Sequence, residues 1–216
     1  MTPTAADMLV LTMLLWDFRI AVNEQLVRAY RAGGVRNAGA ARRRVRALVA
    51  SGLLDFADVL ARPLLDILIA LYEWPGTGRP DYGILPQLAW ALERRWQQPL
   101  TSKRVYFASR KSINIFGGVT KGAIKHYGQI SHDLHVTEAA LNYLEREPDR
   151  MATWVSEDAN TEHVPFQKVP DAIFYDLDSN PPRPVQAVEV GGYYPEAKLH
   201  AFFTDMEKRR LPFVIY

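Results

Sequence analysis

Cysteine is absent from the chain, which excludes disulfide staples and agrees with a reducing compartment, so the cytoplasm is the expected location. Long apolar runs are also missing. The longest early run, Met8 to Trp16, is interrupted by Asp17 and Arg19 and is too short to span a bilayer. The opening Met1-Thr2-Pro3-Thr4-Ala5-Ala6-Asp7 lacks the basic start of a signal peptide. A core helix and no membrane partner are therefore expected. No glycine-rich nucleoside-triphosphate loop, no Ser/His/Asp or Cys/His arrangement, no internal repeat and no low-complexity tract is present. One further absence is local. From Gln25 to Leu54 there is no acidic residue, yet Arg28, Arg31, Arg36, Arg42, Arg43, Arg44 and Arg46 fall there.

What is present is ordinary globular material. A hydrophobic fraction of 48% supplies a core without cross-links, and 216 residues suit one large or two small domains. The formal net charge of +2 conceals an asymmetry. Residues 1–130 carry 18 Lys and Arg against 9 Asp and Glu, whereas residues 131–216 carry 8 against 15. A basic first part suits a polyanion, and an acidic second part suits either a metal or plain solvation.

The first part reads as three short helices, over Leu9–Trp16, Val22–Tyr30 and Ala40–Ser51. Gly33-Gly34 breaks the chain before the third helix and Gly52 ends it, which is a helix-turn-helix layout. In the third helix Val45, Leu48, Val49 and Leu53 recur at helical spacing, so one face packs while arginines project from the other. Leu48 to Leu54 has the character of an exit from a winged-helix recognition helix into its wing. Leu64–Trp74 is strand-like, and the turn-rich Pro75–Asp81 then places Arg79 at the expected wing tip. Leu85–Trp96 is an amphipathic helix, and Lys103–Ile115 a strand plus a short helix. Lys103, Arg104, Arg110, Lys111, Lys121 and Lys125 keep this stretch basic. A soft boundary near residue 128 gives domains 1–128 and 129–216. In the second, a helix over His132–Leu144 precedes strands at Trp154–Ser156, Asp171–Tyr175 and Val185–Val190, a helix over Pro195–Arg210 and a closing strand Leu211–Tyr216. The fold class expected is α/β in the mixed α+β sense.

This order of parts resembles the replication-relaxation family of plasmid and mobile-element proteins. The matching stretches are Arg42 to Leu54, His132-Asp133-Leu134-His135-Val136-Thr137-Glu138, Val169-Pro170-Asp171-Ala172-Ile173 and Ala187-Val188-Glu189-Val190-Gly191-Gly192-Tyr193. The resemblance implies an N-terminal winged helix followed by a small restriction-endonuclease-like domain. It also implies an association with DNA through replication control or mobilisation.

Two kinds of site follow. Arg36, Arg42, Arg43, Arg44, Arg46 and Arg79 are the candidate contacts to double-stranded DNA, because arginines that neutralise phosphates release condensed counterions. No cofactor is needed for that. A solvated helix face, or a surface meeting an acidic partner, is the plainer reading of the same run. In the second domain Asp171 and Glu189 supply two acids on neighbouring strands, with Glu138 as a third metal ligand and Mg²⁺ as the ion if the domain is a nuclease. Such nucleases place a lysine two positions after the second acid. Gly191 stands there, and Lys198 on the next helix is the stand-in; strand-capping and local ion pairing are the alternative roles for these acids. His132 and His135 share a helix face, and a zinc site would need a further ligand such as His163, Glu138 or Asp171; capping and packing explain the pair more simply. Whether the second domain cleaves stays open. A non-catalytic DNA-binding protein, a metal-dependent nuclease and a protein-interaction adaptor are the three readings, and a homodimer through the Met8–Trp16 helix is a further expectation.

Overall fold

Residues 2–65, 67–124, 126–160 and 168–216 are described in the structure, a computed structural model, and they form an α+β protein with two separate β-sheets. In chain order the elements are α1 (Ala5–Thr12, prolonged by a π-helical turn Met13–Asp17), β1 (Ala21–Val22), α2 (Asn23–Ala32), α3 (Ala38–Ala50), β2 (Leu54–Ala61), β3 (Tyr72–Trp74) and α4 (Leu85–Arg95). They continue with β4 (Thr101–Ala108), α5 (Arg110–Phe116), α6 (Ile130–Arg146), α7 (Pro148–Met151), β5 (Trp154–Ser156) and α8 (Glu157–Asn160). The last four are β6 (Ala172–Asp176), β7 (Arg183–Glu189), α9 (Glu196–Arg209) and β8 (Phe213–Ile215). No helix among the described residues is long and apolar enough to cross a membrane.

The chain divides into two compact units, and neither is continuous. The first comprises Met1–Leu64 and Leu100–Asp149, the second Leu65–Pro99 and Arg150–Tyr216. This corrects the boundary expected near residue 128. Helix α6 belongs to the first unit because Ile130 and Leu134 share one core with Ile20, Val22, Val59 and Val105. Residues 65–99 belong to the second because Trp74, Leu85, Leu88 and Leu92 are packed with Phe202, Phe203 and Phe213. A boundary read from charge alone misses both, since charge sits on surfaces while units are defined by shared apolar burial.

In the first unit α1 is started by a reciprocal cap: Thr4 Oγ1 accepts from Asp7 N at 3.3 Å while Asp7 Oδ2 accepts from Thr4 N at 2.7 Å. Val10, Leu11, Met13, Leu14 and Leu15 are then buried. Most of the apolar run thus packs into this unit's own core, while Trp16 at its end is exposed. Helix α2 ends at Gly33, and Gly34 turns the chain at φ 88°, a conformation that costs a Cβ-bearing residue more. Asn37 caps α3 by accepting from Ala40 N at 2.9 Å. Strands β1, β4 and β2 make an antiparallel sheet in that order, with Ala21 opposite Tyr106 and Leu54 opposite Ala108. On β2, Val59 and Ala61 point inward while Phe56, Asp58 and Leu60 are exposed, the period-2 alternation of a half-buried strand.

The second unit holds a five-stranded sheet ordered β3-β8-β7-β6-β5, antiparallel except for the β7–β8 pair. A meander β5-β6-β7 is followed by α9, which returns the chain so that β8 lies parallel to β7. Leu199, Phe202, Phe203 and Met206 recur along α9 at spacings of three and four and are all buried. Phe213 receives them, with ring centroids 5.1 Å from Phe202 and 4.9 Å from Phe203. Each such burial is worth about 1.5–3 kcal/mol. Of the strand expected over Leu64–Trp74, the described residues form Tyr72–Trp74, paired with β8.

Candidate functional site

Helix α3 separates its charges from its packing. Ala41, Val45 and Leu48 are buried, whereas Arg42, Arg43 and Arg46 are exposed, as is Arg36 just before the helix. Three guanidinium groups therefore stand in solvent on a helix whose segment contains no acid. Arg44 is different and corrects the expectation that it contacts DNA. It turns inward and ion-pairs with Asp7, its Nε donating to Oδ1 at 3.0 Å and its Nη2 to Oδ2. Asp7 is 0% exposed and also accepts from Tyr30 Oη at 2.8 Å. Burial alone would raise the Asp7 pKa, but Arg44, Thr4 and Tyr30 together hold it down to about 2. The same carboxylate pushes the Tyr30 phenol up, after burial. Asp7 thus fastens α1, α2 and α3 together and sets which face of α3 looks outward.

Arg28, from the same acid-free stretch, is also committed. It donates to Glu145 Oε1 at 2.8 Å, to Asn142 Oδ1 at 2.7 Å and to Glu138. Glu138 further accepts from Gln25 Nε2 at 3.1 Å. The third metal ligand expected of Glu138 is therefore an arginine and glutamine partner in the first unit, whereas Asp171 and Glu189 belong to the second. Arg79 likewise is not at a wing tip. It lies in the second unit, 5.0 Å above the Tyr82 ring and 3.9 Å from Glu207. The long antiparallel strand pair of the first unit is β2 and β4 instead, and its outer face carries the Arg104–Asp58 pair at 2.7 Å with Arg104 stacked 4.5 Å over Phe56.

The second unit gathers a different kind of charge. Asp171 precedes β6 and Glu189 ends β7. The ladder pairs Ala172 with Val188, so its next rung sets the two acids opposite each other. Both are buried, Glu189 to 1% and Asp171 to 8% exposure. Like charges so placed repel. Burial raises the Glu189 pKa, and the Asp171 carboxylate raises it further. Asp171 Oδ2 accepts from Val190 N at 2.7 Å. The ammonium of Lys168 bonds Glu189 Oε1, and the Tyr194 hydroxyl also stabilises the Glu189 carboxylate by a hydrogen bond. Lys168 Nζ also lies 4.3 Å from the Tyr194 ring, and Lys198 Nζ 3.4 Å from it. Burial lowers the Lys198 pKa, and Lys168 adds to that; burial likewise raises the Tyr194 phenol, with Glu189 next. Glu157 N donates to Asp171 O at 2.9 Å.

The structure places Asp171, Glu189 and Lys198 near one another around the Tyr194 ring, and adds Lys168 and Tyr194, which sequence reasoning missed. Lys168 lies three residues before Asp171, whereas the nuclease pattern places its lysine after the second acid; the position just ahead of Pro170-Asp171 is the only local signal for it. Gly191 has a packing reason for lacking a side chain. A Cβ there would come within 2.2 Å of Leu92 Cδ2, and its backbone is bracketed by Trp96 Nε1 at 3.2 Å and Tyr216 O at 3.1 Å. Helix α4 thus occupies the space a lysine would need.

His132 and His135 each have a protein partner. His135 is buried with Nε2 3.3 Å from Pro63 O, and His132 lies 3.8 Å from Asp133, which Arg19 also meets at 3.2 Å. His163 and Lys125 lie outside the described residues. Among the described residues no group of three His, Asp or Glu side chains is placed to hold a metal. No family model, curated protein or solved structure matches the chain.

Proposed function

We propose that this protein binds duplex DNA through its first unit, with Arg42, Arg43 and Arg46 on α3 contacting phosphates or base edges and Arg36 assisting at the helix entry. The carrying observation is the outward trio of arginines on a helix whose inner face is locked by Asp7 and Arg44. The element order α1-β1-α2-α3-β2-β4, with sheet order β1-β4-β2, supports a winged helix with α3 as its recognition helix. The charge balance agrees. By sequence the first unit carries 16 Lys and Arg against 10 Asp and Glu, the second 10 against 14. Control of replication or mobilisation of a mobile element, as in the replication-relaxation family, is the process this reading points to. The test is a salt titration of binding to a labelled duplex, parent against the Arg42→Ala/Arg43→Ala/Arg46→Ala variant. Equal affinity and equal salt slope for the two would end the proposal.

A second reading concerns the second unit, as a metal-dependent nuclease of the restriction-endonuclease-like type. It is favoured by the buried Asp171–Glu189 pair with a lysine on it, an arrangement that costs stability and is typical of functional sites. Mg²⁺ commonly takes one or two protein carboxylates and completes its shell with water and phosphate oxygens. Two buried acids on adjoining strands fit that requirement by the chemistry of their donors. When bound, the ion would neutralise the scissile phosphate and lower the pKa of a coordinated water. Asp171 and Glu189 would hold it, and Lys198, which makes no ion pair among the described residues, is available to a phosphate. Incubating DNA with Mg²⁺ or Mn²⁺, parent against Glu189→Ala, tests the reading. Cleavage by the parent and none by the variant supports it, and identical outcomes for the two sink it.

A further inference from the structure

The Glu189 carboxylate already holds a cation, the Lys168 ammonium, on Oε1. The contact is no surface pairing: Glu189 is 1% exposed, and the side chain of Lys168 retains 20% exposure. Two aromatic faces hold the ammonium as well, Tyr194 at 4.3 Å and Phe202 at 4.9 Å. Without Lys168, two acids opposite each other would share a buried site, while Lys198 rests on the Tyr194 ring. The lysine therefore offsets the repulsion that the ladder creates.

We infer that Lys168 is a tethered counter-cation that competes with a divalent metal ion for Glu189, so that the ion binds only as the ammonium leaves. This rests on the second reading above. A metal ion about 2.0–2.1 Å from a carboxylate oxygen and an ammonium bonded to that same carboxylate would set three positive charges within a few ångströms. Repulsion at such a range is severe away from water. Glu189 can serve either partner, and the tether makes the lysine the resident one. The metal-free site is thereby held neutralised and compact, and Lys168 is released toward the phosphate when the ion arrives.

The experiment is Mn²⁺ binding to the whole chain without DNA, followed by calorimetry and by the electron-spin signal of free Mn²⁺. Lys168→Gln is expected to bind at least about tenfold more tightly than the parent, Lys168→Arg about as weakly as the parent, and Glu189→Gln not at all. A parent measurement needs no substitution: acetylation of Lys168, read by mass spectrometry, is expected to quicken as Mn²⁺ saturates. Equal Mn²⁺ affinity for the parent and Lys168→Gln, or Lys168 reactivity unchanged at saturation, overturns the competition while leaving the metal site standing. No Mn²⁺ binding to either protein, or undiminished binding to Glu189→Gln, removes the metal site itself and the competition with it.

Discussion

In the first unit the arginines of α3 stand in solvent above an aliphatic inner face, and the one that turns inward meets a single aspartate. In the second the notable charges are acids, set face to face inside a sheet and answered by a lysine. Solvated charge costs little to keep and is available to any polyanion that approaches. Buried like charge costs stability and persists where something else is gained by it. The first pattern suits a binding surface and the second a site of chemistry, so the two units can be broken separately.

The largest effect is expected at the outward face. Removing Arg42, Arg43 and Arg46 together should weaken duplex binding roughly a thousandfold at low salt and reduce the log–log salt slope by about 2.7, as read by fluorescence anisotropy. Replacing the anchor is next. Asp7→Ala leaves Arg44 and Tyr30 without their buried partner and should cost the first unit about 3 kcal/mol in denaturant unfolding. Arg44→Ala should also destabilise the unit, yet leave the salt slope of binding as it is; a slope reduced by about one would return Arg44 to the DNA contacts.

Acid sharpens the same contrast. The Asp7 pKa is lowered from 3.8 to about 2 in the folded state, so its contribution is present above the unfolded value and is lost as pH falls through the folded one. Between about pH 4 and pH 2 the parent should lose about 2 kcal/mol from this group that Asp7→Asn does not lose. A parallel pH dependence for the two proteins, measured by urea unfolding at each pH, would contradict the anchor. In the second unit Gly191→Ala should cost about 1–2 kcal/mol through the clash with Leu92, and Gly191→Lys more, so restoring the missing lysine at that position is not expected to create activity. The smallest effect is a gain. Asp171→Asn removes the like charge opposite Glu189 and keeps an acceptor for Val190 N; it should stabilise the second unit by at most about 1 kcal/mol, and a large loss would mean that the Asp171 charge is itself needed for folding.

Much of this was legible in the residues. The buried spacing of Val45 and Leu48 and the acid-free stretch around them marked α3 and its charged face. Asp171 and Glu189 were found because acids at the ends of neighbouring apolar runs are conspicuous. Arg44 was misjudged because four arginines in five residues look alike until one knows which of them meets Asp7. The turn around Arg79 has the composition of a wing tip, while the paired strands β2 and β4 lie either side of a 35-residue stretch that packs elsewhere.

The sequence by itself determined local and additive things: helices where the apolar period is 3.6, strands where it is 2, turns at Gly33-Gly34 and Gly52, and the sign of charge along the chain. Tertiary structure decided the pairings. That Arg44 belongs to Asp7, Arg28 to Glu138, Lys168 to Glu189 and Leu92 to the space beside Gly191 depends on contacts between residues 21 to 110 positions apart. Such contacts form only when distant segments share a core, and no local periodicity encodes which segments those are.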